Sequence, residues 1–264
     1  MKLLLARGYT FGMARIGLQL YTLRDEIRHD FAGVVRAVAA MGYEGIETSG
    51  IFGEPSPELK SLLSETGLAV AGLGFDLNQL EQEPQAVIDT CRALDCPHAI
   101  TFWIDESLRR DADDWMRLAE RFNRIGERLA QGGVNYLLHL HGYEFGSYNG
   151  KTAIEILMEQ TDPRYFNLEP DTYWVEYGGE DAARFCERYA DRIRAIHLKD
   201  YISKPEMHDI EVGEGAIDMR TILRLALQHN WRWLIVEQER YIRPPIESAR
   251  RCYTNLRRML ESLS

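Results

Sequence analysis

The chain has 264 residues, 45% of them hydrophobic, and a formal net charge of −10. That length fits two small domains or one large α/β barrel of about 250 residues, and the apolar content excludes a chain disordered throughout. The acidic balance argues against nucleic acid or an anionic membrane as partner.

Residues 1–14 read as an N-terminal extension before the first strand, with Met13 as an alternative start. The apolar run from Leu3 to Ala6 is too short for a signal-peptide core, and Arg7 interrupts it. No stretch reaches the ~20 apolar residues of a membrane span. Cys91, Cys96, Cys186 and Cys252 match no zinc-ribbon or redox spacing and read as reduced, buried thiols. A cytoplasmic protein is therefore expected.

From there a strict alternation runs to the C-terminus. Strands are predicted over 16–21, 43–47, 68–75, 98–103, 134–141, 165–171, 192–199 and 233–239. Helices are predicted over 30–41, 56–66, 83–94, 111–131, 151–160, 180–189, 218–229 and 245–262. Asp30 and Gly42 punctuate the first helix, Ser56-Pro57 and Gly67 the second, and Asp218 caps the seventh. Alternating β and α segments imply a parallel sheet with right-handed crossovers. Eight units close most simply into a (β/α)8 TIM barrel, expected as one domain over 15–264. A doubly wound sheet would usually carry a glycine-rich fingerprint after its first strand, where Tyr21-Thr22-Leu23-Arg24 stands instead.

Five of these strands end in polar pairs two residues apart: Gln19 and Tyr21, His139 and His141, Glu169 and Asp171, His197 and Lys199, Glu237 and Glu239; another ends in Glu47. Residues two apart on a strand share a face. In a barrel such strand ends converge on the C-terminal mouth, where active sites sit. Singly, each group has a plain reading as a hydrogen-bonded His, a helix cap or a buried ion pair. Together, two His, several carboxylates and a Lys in one mouth are costly unless they pair or bind something. Imidazole and carboxylate without thiolate suit a divalent ion, Mn²⁺, Mg²⁺, Co²⁺ or Zn²⁺. Such an ion can polarise a carbonyl and stabilise an enediolate.

The segments IGLQLYTLRDE, GYEGIET, LEPDTYW, HLKD, EVGEGAID and WLIVEQE resemble the sugar phosphate isomerase/epimerase superfamily, the xylose isomerase-like barrels, from about residue 15 to 240. The resemblance implies a metal quartet from strands five to eight. Carried over, Asp171, His197 and Glu237 match three ligands, and His139 stands where family epimerases have a Glu. The His-x-His strand end is similar instead to the inosose dehydratase branch, which implies proton removal beside a carbonyl followed by β-elimination. His141 and Lys199 are then candidate acids, Glu237 both ligand and proton-transfer group, and Glu47 a hydroxyl-binding group or second acid/base. Glu144, Glu169 and Glu239 read as supporting or ion-pair residues. Gln19, Tyr21 and Trp174 look sugar-facing, with Trp103 as a further wall.

The expected function is a divalent-metal-dependent isomerase, epimerase or dehydratase acting on a sugar, keto-sugar or keto-inositol. The loop Glu211-Val-Gly-Glu-Gly215 places two acids among its glycines, which favours a neutral substrate over a phosphorylated one. A homo-oligomer is what the resemblance implies for assembly. The alternatives are a noncatalytic sugar-binding barrel subunit and a metal-dependent endonuclease-type barrel, the latter opposed by the charge and by only 7 His.

Overall fold

The computed structural model describes residues 14–50 and 56–263. Eight parallel strands form the centre: β1 Arg15–Gln19, β2 Gly45–Thr48, β3 Ala69–Gly74, β4 His98–Thr101, β5 Asn135–His139, β6 Phe166–Glu169, β7 Ala195–Leu198 and β8 Trp233–Val236. Their order is β6-β5-β4-β3-β2-β1-β8-β7. The remaining seam, β6 against β7, closes through two isolated bridges, Leu168 with Ile193 and Asp171 with His197. Its hydrogen bonds run from Arg194 N–H to Leu168 O at 3.2 Å and from His197 N–H to Pro170 O at 2.9 Å. The fold is the (β/α)8 barrel that the alternation predicts. The expected extension, and with it Met13, lies outside the described residues except for Ala14, which is buried.

Strand alternation divides the core in two. Outward residues such as Ile16, Leu18, Ile196 and Leu234 pack with the helices in one large cluster. Inward residues Ala71, Ile100, Leu137, Ala195, Trp233 and Ile235 form a small separate cluster inside the barrel. Trp233 fills the barrel floor because its neighbours are glycines. A Cβ on Gly45 would lie 2.5 Å from the Trp233 ring, and one on Gly17 would lie 2.7 Å from Ile235. Two residues further along the inward face, Gly45, Leu137, Ala195 and Ile235 give way to Glu47, His139, His197 and Glu237. The apolar floor thus sets the depth at which the polar layer begins.

The predicted caps hold. Asp30 accepts the Gly33 N–H at 2.8 Å, Ser56 that of Leu59 at 3.1 Å and Asp218 that of Thr221 at 3.1 Å. The strands, however, stop short of the expected polar ends. Gln19 Oε1 accepts the Tyr21 N–H at 3.2 Å, which turns residues Leu20–Leu23 into a 3₁₀ turn. Asp171 caps a six-residue helix, Thr172–Tyr177. Two further six-residue helices, Arg24–His29 and Leu77–Gln82, were not expected. One helical turn and a half is too short for the periodicity that reveals a helix. The four cysteines are free and buried. Among the described residues no helix is long and apolar enough to cross a membrane.

The loop after β7 is organised by Asp200. This buried carboxylate accepts the N–H groups of Tyr201, Gly213, Gly215 and Ile217 at 2.9, 3.0, 3.1 and 3.2 Å. A Cβ on Gly215 would fall 2.2 Å from Asp200 Oδ1, so the loop needs that glycine. The loop's Asp209 accepts the N–H groups of Glu239 and Arg240 at 2.9 and 3.1 Å, which fixes the backbone after β8. Replacing Asp200 by Ala strands these donors and should cost about 2–4 kcal/mol. A urea unfolding midpoint shifted by less than about 1 kcal/mol equivalent would show that the loop holds itself by other contacts.

Candidate active site and metal centre

At the C-terminal mouth lies a cavity of about 330 Å³ lined by Gln19, Tyr21, Ser49, Phe102, Trp103, His139, His141, Trp174, Glu237 and Glu239. This is at the small end of the ~300–1,000 Å³ range of ligand pockets, which suits one ring rather than an oligosaccharide.

At its base, His139, Asp171, His197 and Glu237 each present one ligand atom, all within 4.8 Å of one another. A metal–ligand bond of ~2.1 Å spaces ligand atoms about 3–4 Å apart, so the cluster needs only a small contraction to hold an ion. Two further observations fit such an ion. Asp171 uses Oδ1 to accept the N–H groups of Tyr173 and Trp174 at 2.8 and 3.1 Å, while its buried Oδ2 has no partner. Each imidazole also has a buried carboxylate on one nitrogen: His139 Nδ1 lies 3.4 Å from Glu169, and His197 Nε2 lies 2.8 Å from Glu47 and 3.5 Å from Glu169. Such carboxylates orient metal-binding imidazoles and set their tautomer. His139 Nε2 then faces away from Glu169, while the second nitrogen of His197, Nδ1, meets Glu237 Oε2 at 2.8 Å.

The charge states follow from burial and neighbours. Burial first, and then the charges of His197, His141 and Lys199, hold His139 well below the usual imidazole range. Burial likewise takes His141 down to about 4. His197 moves the other way, well up, because Glu47 and Glu169 outweigh the cost of its burial. Asp171 is pushed up to about 7 by burial and by the nearby Glu237, against the pull of Lys199. Glu169 is raised well above the usual range by burial and by Glu47. Glu237 sits at about 2: burial opposes this, but its hydrogen bond to His197 and the charges of His197 and Lys199 prevail.

The other predicted residues separate by depth. Gln19, Tyr21, Trp103, His141 and Trp174 line the cavity. Glu47 is fully buried beneath His197 and accepts the Gln19 amide at 3.1 Å, so it faces the imidazole rather than the cavity. The Lys199 ammonium is buried too, hydrogen-bonded to Glu239 and held 4.9 and 5.1 Å from the rings of Tyr173 and Trp174. Glu144 is buried behind the mouth and accepts the His141 N–H at 3.1 Å. Two wall residues, Ser49 and Phe102, escape the sequence reading. Phe102 places its ring 5.2 Å from His139 and 6.2 Å from His197. Its parity with the inward Ile100 was the signal that could have found it.

Comparison with known proteins agrees with this geometry. Residues 35–259 match the family model described as xylose isomerase-like TIM barrel. An inosose dehydratase of Geobacillus kaustophilus is 27% identical over 247 residues, covering 78% of this chain and 79% of that protein. A sugar phosphate isomerase/epimerase from Parabacteroides distasonis superposes with a TM-score of 0.77 at 22% identity, covering 96% of both chains. A probable 3-DHS dehydratase from Bacillus anthracis does so at 0.72 and 14% identity, covering 92% of this chain and 98% of that one. With its closed eight-stranded barrel and a family match across most of its length, the chain belongs to the xylose isomerase-like TIM barrel family.

Proposed function

We propose that this protein is a divalent-metal-dependent enzyme that removes a proton beside the carbonyl of a neutral keto-sugar or keto-inositol and completes either an elimination or an isomerisation. The observation that carries this is the convergence of His139, Asp171, His197 and Glu237 at the base of a ring-sized cavity. The similarity to inosose dehydratases supports the dehydratase side of the reading.

His139, Asp171, His197 and Glu237 would hold the ion, which supplies electrostatic stabilisation of charge developing on adjacent substrate oxygens. The chain's own groups do the rest. Glu237 reaches the cavity ionised, with one oxygen fixed by His197, and is the group proposed to take the proton. His141 stands neutral at the outer wall between Trp103 and Trp174, positioned to hydrogen-bond the carbonyl or leaving oxygen. Gln19 and Tyr21 offer hydrogen bonds to hydroxyls, and the flat faces of Phe102 and Trp174 suit sugar C–H groups. Lys199 does not line the cavity; its proposed role is to hold Glu239 and to offset the carboxylates around it. Glu47 and Glu169 are proposed to hold the two imidazoles in place.

A choice between reactions comes from His139. Moving a proton from one face of a carbon to the other takes two acid/base groups on opposite sides. Here Glu237 faces two neutral imidazoles rather than a second carboxylate, which favours elimination or isomerisation over epimerisation.

Protein purified without chelator should carry about one divalent ion per chain, and Asp171→Ala should lose it. Elemental analysis showing no ion, together with no activation by added Mn²⁺ or Co²⁺, would sink the metal-dependent reading. In deuterated water, a panel of keto-sugars, keto-inositols and 3-keto-glycosides read by NMR should show exchange at the carbon beside the carbonyl. Glu237→Gln should slow that exchange by about 10²–10⁴-fold. Undiminished exchange in this variant would assign the proton to another group.

A further inference from the structure

We infer that Trp103 is an outer platform for a planar apolar group carried on the reacting ring, so that the substrate class is a neutral aryl-substituted glycoside rather than a free sugar. This deepens the sugar-acting reading above and rests on it.

The argument starts from depth. Phe102 and Trp103 are consecutive, as the ends of β4 and its loop, yet they serve different levels of the mouth. The Phe102 ring lies 5.2 Å from His139, at the quartet. The Trp103 ring lies 5.7 Å from His141 and is 57% exposed. His139 and His141 are themselves 4.6 Å apart, centroid to centroid. A substituent that points outward past His141 from a sugar ring seated against Phe102 and the quartet therefore meets Trp103.

Trp103 is also held in place, unlike a chance exposed side chain. The Arg109 guanidinium sits 5.4 Å from its ring centroid and 3.8 Å from that of Tyr143. Tyr143 meets Trp103 edge-on at 5.5 Å and 82°. Arg109 is fixed in turn by the Ile104 carbonyl at 2.9 Å, and the Tyr143 hydroxyl accepts the Ile104 N–H at 3.2 Å. A pinned aromatic face presents apolar area at little entropic cost, which is what makes aromatic side chains effective anchors.

Charge decides what the platform takes. The cavity wall carries Glu237 and Glu239 and no Lys or Arg; the Lys199 ammonium behind it is engaged by Glu239, and Arg109 beside Trp103 is largely buried and pairs with Glu106 at 3.7 Å. An anionic substituent would be repelled. A neutral aryl group stacks on the indole and gains about 0.5–1.5 kcal/mol over an aliphatic one.

The test uses metal-replete protein and pairs of phenyl and methyl 3-keto-β-glycosides in gluco, galacto and xylo configuration, titrated calorimetrically. For the configuration that binds, the phenyl member should be tighter by about two- to twelvefold. Trp103→Ala should bring that ratio close to one, and Trp103→Phe should retain part of it. Equal affinity within the wild-type pair overturns the platform while leaving the sugar-acting reading intact. A ratio that survives in Trp103→Ala overturns it as well, as does a variant that changes only the sedimentation coefficient, which would make Trp103 an assembly contact. Binding of neither member in any configuration overturns both readings together.

Discussion

Everything in the mouth is arranged around a buried imidazole with no free nitrogen. His197 is fully buried, with Nδ1 at 2.8 Å from Glu237 and Nε2 at 2.8 Å from Glu47. An imidazole and two carboxylates taken out of water are tolerable only if each compensates the others. That requirement ties three strands together: β7 supplies His197, β8 supplies Glu237 and β2 supplies Glu47. Gln19 extends the chain to β1 by donating to Glu47 at 3.1 Å. The glycines facing Trp233 matter for the same reason, because the apolar floor beneath sets how deep this layer can lie.

The scaffold and the candidate site share residues to an unusual degree. Asp171 pairs with His197 across the seam that closes the barrel, caps the following helix with one oxygen and leaves the other unpartnered in the mouth. His139 Nδ1 and both oxygens of Glu169 are also buried without a hydrogen bond. Each such group costs about 1–3 kcal/mol. A fold that had only to be stable would replace them by apolar residues or complete their pairing. Their clustering at one spot is what supports the metal-binding reading proposed for these residues.

Sequence reading reached the barrel and the caps because these follow from periodicity of two and of 3.6, whereas the four residues of the quartet came from the family resemblance. It extended the strands too far because it took Tyr21 and Asp171 as continuing the pleat. In fact Gln19 and Asp171 bond their own backbone and bend the chain away. It aimed Glu47 at the substrate because a strand-end carboxylate has the same parity whether it lies at the rim or one layer down. Depth is set by barrel stagger, which no single strand encodes. Phe102 was missed although it shares the inward parity of Ile100, because the reading of that strand end stopped at the neighbouring Trp103.

Depth also gives the exchange of a carboxylate for His139 its chemical meaning. A glutamate at that level would face Glu237 across the cavity with a second negative charge, and the two could share a proton between opposite faces of a substrate carbon. A neutral imidazole 3.4 Å from Glu169 would contribute a lone pair but no second proton acceptor of comparable strength. The asymmetry leaves Glu237, with Glu239 engaged by Lys199, on one side and neutral His141, between two tryptophans, on the other. On the proposed reading, such a mouth would take a proton from one face of a substrate and stabilise a departing oxygen near His141.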